Sequence, residues 1–197
     1  EFNNSDSVEG FQDSSYKSMP YNQMVILDTN KLTTEEIDSF PIELTSTLKI
    51  DRPYDIYLEY ISLHDLEGVS GTQTNKLESF HAFAVNITKI NIHTRSNNSY
   101  LNERLVIPND TYGTNDNSAD GGDAVKATSI TLKLKSNYIG TIGGTFFNNP
   151  NQKAINITNF KITIQGLLEA SDTPITLRGT NNDSKSRAQI ALFFKYR

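Results

Sequence analysis

His64, His81 and His93 are the only three histidines in the chain, so acid–base work near neutral pH or imidazole ligation of a metal would fall to them. They stand in separate segments without i, i+4 or H-x-H spacing, and no H-E-x-x-H occurs; such histidines face solvent or a hydrogen-bond partner on a strand. Asp65 and Glu67 are two residues apart at the end of a strand-like run. That spacing could turn both carboxylates to one side, as a glycosidase pair requires, but at a loop entry solvation is the favoured reading. His64 next to Asp65 is where an enzyme on this scaffold would first be sought. No G-x-S-x-G elbow occurs, and the absence of cysteine removes thiolate nucleophiles, thiolate metal sites and disulfides.

The densest set of hard oxygen ligands lies between Asn109 and Asp123, and Asp116, Asp120 and Asp123 are its calcium candidates. Set against a helix-loop-helix calcium loop, Asp116, Ser118, Asp120 and Gly121 match the early positions. Ala127, however, falls where a bidentate Glu is required, which excludes that motif. The main remaining reading is a solvated surface loop, with a looser calcium site as its alternative. Gly140, Gly143 and Gly144 lack the following Lys-Ser/Thr and the helix of a phosphate cradle, so they are expected to form a tight turn. Sequons at Asn3, Asn86, Asn97, Asn109, Asn156 and Asn182 are expected of an Asn- and Thr-rich composition. The residues therefore assign no catalytic or cofactor-binding position, and the chain reads as non-enzymatic.

The elements that would position these groups are strands. Eight strand-like segments are separated by stretches rich in Asn, Gly, Thr and Pro: 23–27, 40–44, 54–63, 80–94, 105–107, 130–134, 155–164 and 188–196. The first, a continuous apolar run, reads as buried on both faces. Pro41 places the second at an edge or a strand opening. In the fourth and seventh, the apolar period changes phase near Thr88-Lys89 and near Thr158-Asn159. A one-residue slip inverts every side chain, so each must carry a bulge or a bend. The last segment is apolar on both faces and is expected at the centre of a sheet. Thr33 with Glu36 three residues on has capping-box spacing and predicts one helical turn over 33–37. Long inserts are expected at 67–79, 108–125 and 171–187.

Residues 1–20 are polar and Ser-rich, with only Phe11, Tyr16 and Met19 able to anchor them, and read as a flexible N-terminal arm before a single domain over 21–197. No apolar run approaches the roughly 20 residues of a membrane span, and no signal-peptide pattern opens the chain. A formal charge of -5 argues against direct nucleic-acid binding, which needs clustered Lys and Arg. The expected fold is all-β: a single eight-stranded jelly-roll sandwich of two antiparallel sheets.

Met24 to Asp28 (MVILD), Phe40 to Leu44 (FPIEL), Tyr54 to Ile61 (YDIYLEYI), Leu105 to Asp110 (LVIPND), Tyr138 to Thr141 (YIGT) and Ile190 to Arg197 (IALFFKYR) together resemble the single jelly-roll capsid proteins of large double-stranded DNA viruses and virophages. The likeness is one of strand order and spacing across nearly the whole domain. It implies a penton or minor capsid component located in the virion, a homo-oligomer with a pentamer favoured and a trimer as the alternative, contacting other capsid proteins. The rival expectation is a receptor- or glycan-binding jelly roll, a fibre head or a tumour-necrosis-factor-like trimer, using the loops at 68–75 and 109–123.

Overall fold

A computed structural model describes residues 22–112, 129–134, 137–144, 151, 153–169, 171, 173–180 and 186–197. The expected arm over 1–20 and the calcium candidates Asp116, Asp120 and Asp123 lie outside them. Thirteen strands follow in order: β1 (Gln23–Asp28), β2 (Phe40–Ile50), β3 (Tyr54–His64), β4 (Leu66–Ser70), β5 (Gln73–Lys76), β6 (Ala82–Ile87), β7 (Asn91–Ile92), β8 (Leu105–Pro108), β9 (Ser129–Leu132), β10 (Tyr138–Ile142), β11 (Ile155–Leu167), β12 (Ile175–Gly179) and β13 (Arg187–Tyr196). Among the described residues there is no α-helix, and hence no helix long and apolar enough to cross a membrane.

The strands form two antiparallel sheets. The first runs β1-β13-β3-β10-β7, with β9 beside β3 in line with β10; the second runs β5-β4-β12-β11-β6-β8, with β2 beside β11. Every ladder is antiparallel, so each strand can keep one face dry and one wet. The eight segments legible in the sequence reappear as β1-β13-β3-β9 in one sheet and β2-β11-β6-β8 in the other. Successive segments therefore alternate between the sheets except for β6 and β8, which pair within the second, the connectivity of a jelly roll. Between them lies one core, built from Tyr54, Ile56, Leu58, Ile61 and Leu63 of β3, Ile190, Leu192 and Phe194 of β13, Phe160, Ile162 and Ile164 of β11, and Phe83, Val85 and Ile87 of β6. The closing strand is central, as expected: β13 is flanked by β1 and β3.

Both phase breaks are real, and they meet at one corner. Opposite β2, the register of β11 shifts between Ile157 and Asn159. At the other break the chain leaves the second sheet after Ile87, turns with Lys89 at φ 70°, and enters the first sheet as β7. The fourth segment is thus two strands in two sheets rather than one bent strand. Lys89 Nζ donates to the Asn159 carbonyl at 2.5 Å and to its side-chain Oδ1 at 3.0 Å, which ties the two breaks together.

The strand count exceeds eight because pairing recruits segments without a clean period. The inserts expected at 67–79 and 171–187 contain structure: β4 and β5 form a hairpin turning at Gly71 (φ 61°), and β12 pairs with β4. The 33–37 segment is not helical. Ile37 wedges between strands, its N–H donating to Leu177 O (2.7 Å) and its carbonyl accepting from Ile164 N (3.0 Å). Those two sheet partners outweigh one turn of local helix. The glycines over 140–144 do not all make a turn. Gly140 lies within β10, where a Cβ would sit 2.1 Å from the Asn91 carbonyl of β7, whereas Gly143 (φ 76°) turns the chain beyond it.

Phe80, fully buried, lies flat over two strands of the second sheet because those strands present glycine beneath it. A Cβ at Gly166 of β11 would stand 2.3 Å from the ring, and one at Gly68 of β4 would stand 2.7 Å away. Gly166→Ala is therefore expected to destabilise by about 1–3 kcal/mol through overpacking. Gly144→Ala, with open space around it, should stay within roughly 0.5 kcal/mol of the parent. Urea unfolding of both variants checks this, and equal midpoints would refute it.

Candidate functional site

The groups singled out for chemistry do not converge. His64, His81 and His93 are all exposed and lie at separate places, and among the described residues no group of three His, Asp or Glu could hold a metal ion. Ser62 Oγ and His64 Nε2 are 2.7 Å apart on the outer face of β3. The Asp65 and Glu67 side chains have separate partners. Asp65 adopts φ 49° and accepts from the Thr180 hydroxyl at 2.7 Å. Glu67 is buried and salt-bridged by Lys76 (2.9 Å) and Arg178 (3.3 Å). The two contacts make it a structural clamp across β5-β4-β12. The sequon residue Asn109 is 5% exposed, donating to the Leu77 and Phe80 carbonyls and accepting from Thr111. It is a buried loop cap and is closed to modification.

The first sheet's outer face is a different matter. On β3, Tyr54, Ile56, Leu58, Ile61 and Leu63 point to the core, so Tyr57 and Tyr60 point outward. The registers then align rows across the strands: Met24-Phe193-Tyr57-Tyr138 and, beside it, Ile26-Ala191-Tyr60. Met24 is 55% exposed, Ile26 50% and Tyr138 42%, while Tyr57, Tyr60 and Phe193 are half-buried. Tyr57 and Tyr138 meet edge-on with centroids 5.7 Å apart, and Tyr60 Oη donates to Gln189 at 2.9 Å, so the rows are packed cross-strand ladders.

Polar rows bound this apolar strip on both sides. On one side Asp28 accepts from Arg187 Nε at 2.7 Å and from Gln189 at 3.1 Å; on the other Arg197 pairs with Asp55 at 2.8 Å. Apolar surface with a polar rim is the usual composition of a protein–protein contact. The second sheet's outer face differs among the described residues. There Ala82, Ala84 and Leu167 form a small cluster covered by Leu101 and Val106.

β1 is an edge strand with one wet face, which corrects the reading of Met24–Leu27 as buried on both. A run of five apolar or neutral residues looks the same whether its second face meets a sheet or solvent. Only the pairing of β1 with β13 alone tells them apart. Beside it, between β1 and β2, lies a groove of about 350 Å³ with Ile42, Leu44 and Leu48 on its β2 wall and Thr45, Ser46 and Thr47 at its rim.

Compared with known proteins, the chain matches no family model, no curated protein and no solved structure.

The Arg187 guanidinium beside Asp28 holds that carboxyl below its ordinary value of 3.8. A depressed folded pKa means that the contribution is complete above 3.8 and is lost as pH falls through the lower, folded value. Asp28→Asn should therefore be less stable than the parent at neutral pH, the difference shrinking once pH drops below 3.8. Denaturant melts at a series of pH values measure this; a difference independent of pH would show that the ion pair carries no stability.

Proposed function

We propose that this protein is a structural subunit of a virus capsid, a penton or minor component that self-associates and contacts neighbouring capsid proteins in the virion. A jelly roll hosts many functions, so the fold alone does not choose among them. The observation that carries the reading is the outer face of the first sheet, where Met24, Ile26, Tyr57, Tyr138 and Phe193 make an apolar strip between polar rows on a chain of net charge -5. A lone soluble protein gains nothing from this arrangement, whereas a shell subunit needs a broad, uncharged contact surface. The strand-by-strand likeness to single jelly-roll capsid proteins points the same way. Closed rings such as a pentamer use heterologous contacts, one flank of the subunit against a different flank of the next.

The receptor- or glycan-binding alternative loses one of its two loops. Residues 68–75, expected as an open insert, are largely paired as the β4–β5 hairpin.

Native mass spectrometry and light scattering across a concentration series should detect oligomers of this chain, with a pentamer as the expected ring. Replacing Tyr57 and Phe193 together by Ser should shift the population toward monomer while circular dichroism stays that of a β-sandwich. A protein that is monomeric at the highest concentration and joins no assembly with other capsid proteins would overturn the proposal.

A further inference from the structure

We infer that β1 is an open strand-pairing edge, and that its occupant is the β1 strand of a second copy, lying antiparallel across a two-fold axis so that the first sheets of two subunits become continuous. The inference rests on the self-association reading and adds to its heterologous ring contacts a separate, two-fold one. It follows from where the main chain of β1 points.

Thr29 N donates to Ala188 O at 3.0 Å, and Thr29 is the next position in the β1–β13 register after the pair Asp28–Gln189. Antiparallel strands bond at alternate residues. The main-chain groups of Val25 and Leu27 therefore face β13, and those of Met24 and Ile26 face away from it. The far side of β13 agrees: Leu58 N bonds Asn137 O, so Tyr57 turns its main-chain groups to its partner Phe193, and β13 leaves its even residues for β1. Among the described residues β1 pairs with β13 alone. Met24 and Ile26 thus combine an exposed apolar side chain on the outer face with main-chain polar groups directed away from β13, on a side where no other described strand pairs.

Exposed edges are ordinarily blunted by Lys, Pro, bulges or brevity. The other edges here follow that rule. Among the described residues, β2 carries Pro41, Glu43, Lys49 and a break in register, β8 ends on Pro108, β5 has Lys76, and β7 and β9 are short, at two and four residues. Gln23–Leu27 carries none of these devices and contains neither charge, Pro nor Gly. A short, uncharged, strongly β-forming segment at an edge pairs with an identical one readily.

Self-pairing is favoured by symmetry and charge. Two β1 strands set antiparallel bring outward main-chain groups opposite outward main-chain groups and place Met24 and Ile26 of one copy beside those of the other, an isologous contact. Two copies of a chain with net charge -5 repel over most approaches. Along this edge Arg187 neutralises Asp28, and Glu43 on the β2 wall of the groove accepts from the Asn159 amide at 3.3 Å. The added strand lies beside the groove between β1 and β2, so its side chains on the opposite face would meet Ile42, Leu44 and Leu48. Main-chain bonds with alternate side chains in a groove are the recognition mode of strand addition.

Residue-resolved amide exchange on the full chain, at low and high concentration, tests this directly. Val25 and Leu27 amides should be protected at both concentrations, whereas Met24 and Ile26 amides should gain protection only when the protein associates. Ile26→Lys should raise the two-fold dissociation constant by about tenfold or more, as expected for an interface residue worth over 1 kcal/mol. Ile26→Pro should act likewise while retaining the β13 ladder, because the amide it removes faces outward. If the parent oligomerises but both variants do so equally, and the Met24 and Ile26 amides exchange alike at all concentrations, the β1 edge is not the contact and self-association stands on another surface. A parent that never associates overturns both readings. Protection of Met24 and Ile26 already complete in dilute monomer would mean that the chain itself covers the edge, which also overturns the inference.

Discussion

Strand β13 holds the first sheet together, because among the described residues the N-terminal strand of that sheet pairs with no other. β13 bonds β1 along one edge and β3 along the other, and its inward residues Ile190, Leu192 and Phe194 sit at the middle of the core. Its outward residues Ala191 and Phe193 join Met24 and Ile26 of β1 to Tyr57 and Tyr60 of β3. The same strand therefore sets both the dry interior and the apolar exterior. At one end, Thr29 adds a clamp: its N–H donates to Ala188 O, and its hydroxyl oxygen accepts from Ala188 N at 2.9 Å.

The two outer faces divide the surface by chemistry. On the second sheet, small residues at Ala82 and Ala84 leave room for Leu101 and Val106 to close over Leu167, so that face is finished within the subunit. On the first, large side chains stand on the corresponding positions with nothing from the described chain above them. Alternation along a strand fixes which residues share a face. It does not fix whether that face will be covered.

Period and punctuation in the sequence were enough for the sandwich. The phase changes near Thr88 and Thr158 mark the two places where strands break or slip, since a period-two pattern cannot change face without a disturbance in the backbone. That they form one corner, joined by Lys89 and Asn159, is a three-dimensional fact no single segment records. The segments missed were those whose β-structure is imposed from outside. β4 (LEGVS) lacks alternation because Glu67 is buried with Lys76 and Arg178, and because Gly68 makes room for Phe80. Residues 33–37 have a helix-start spacing, but two sheet partners claim Ile37 instead. The association face was illegible for a related reason. Whether Met24 and Ile26 meet a layer or solvent depends on which strand ends a sheet, a property of topology rather than of local pattern. The Ser-Gly at 70–71 was the one local signal for the β4–β5 hairpin.

The β1–β13 ladder also governs timing. Thr29 and Ala188, which bond one another, are 159 residues apart in the chain. At a synthesis rate of about 5–20 residues per second, roughly 8–32 s separate the appearance of the two partners on the ribosome. Throughout that interval the stretch from Gln23 to Leu27 has no native strand to bond, and its apolar residues are as available to another nascent chain as they will later be to β13. The first sheet is thus assembled in the reverse of its reading order: its earliest strand is among the last to be secured.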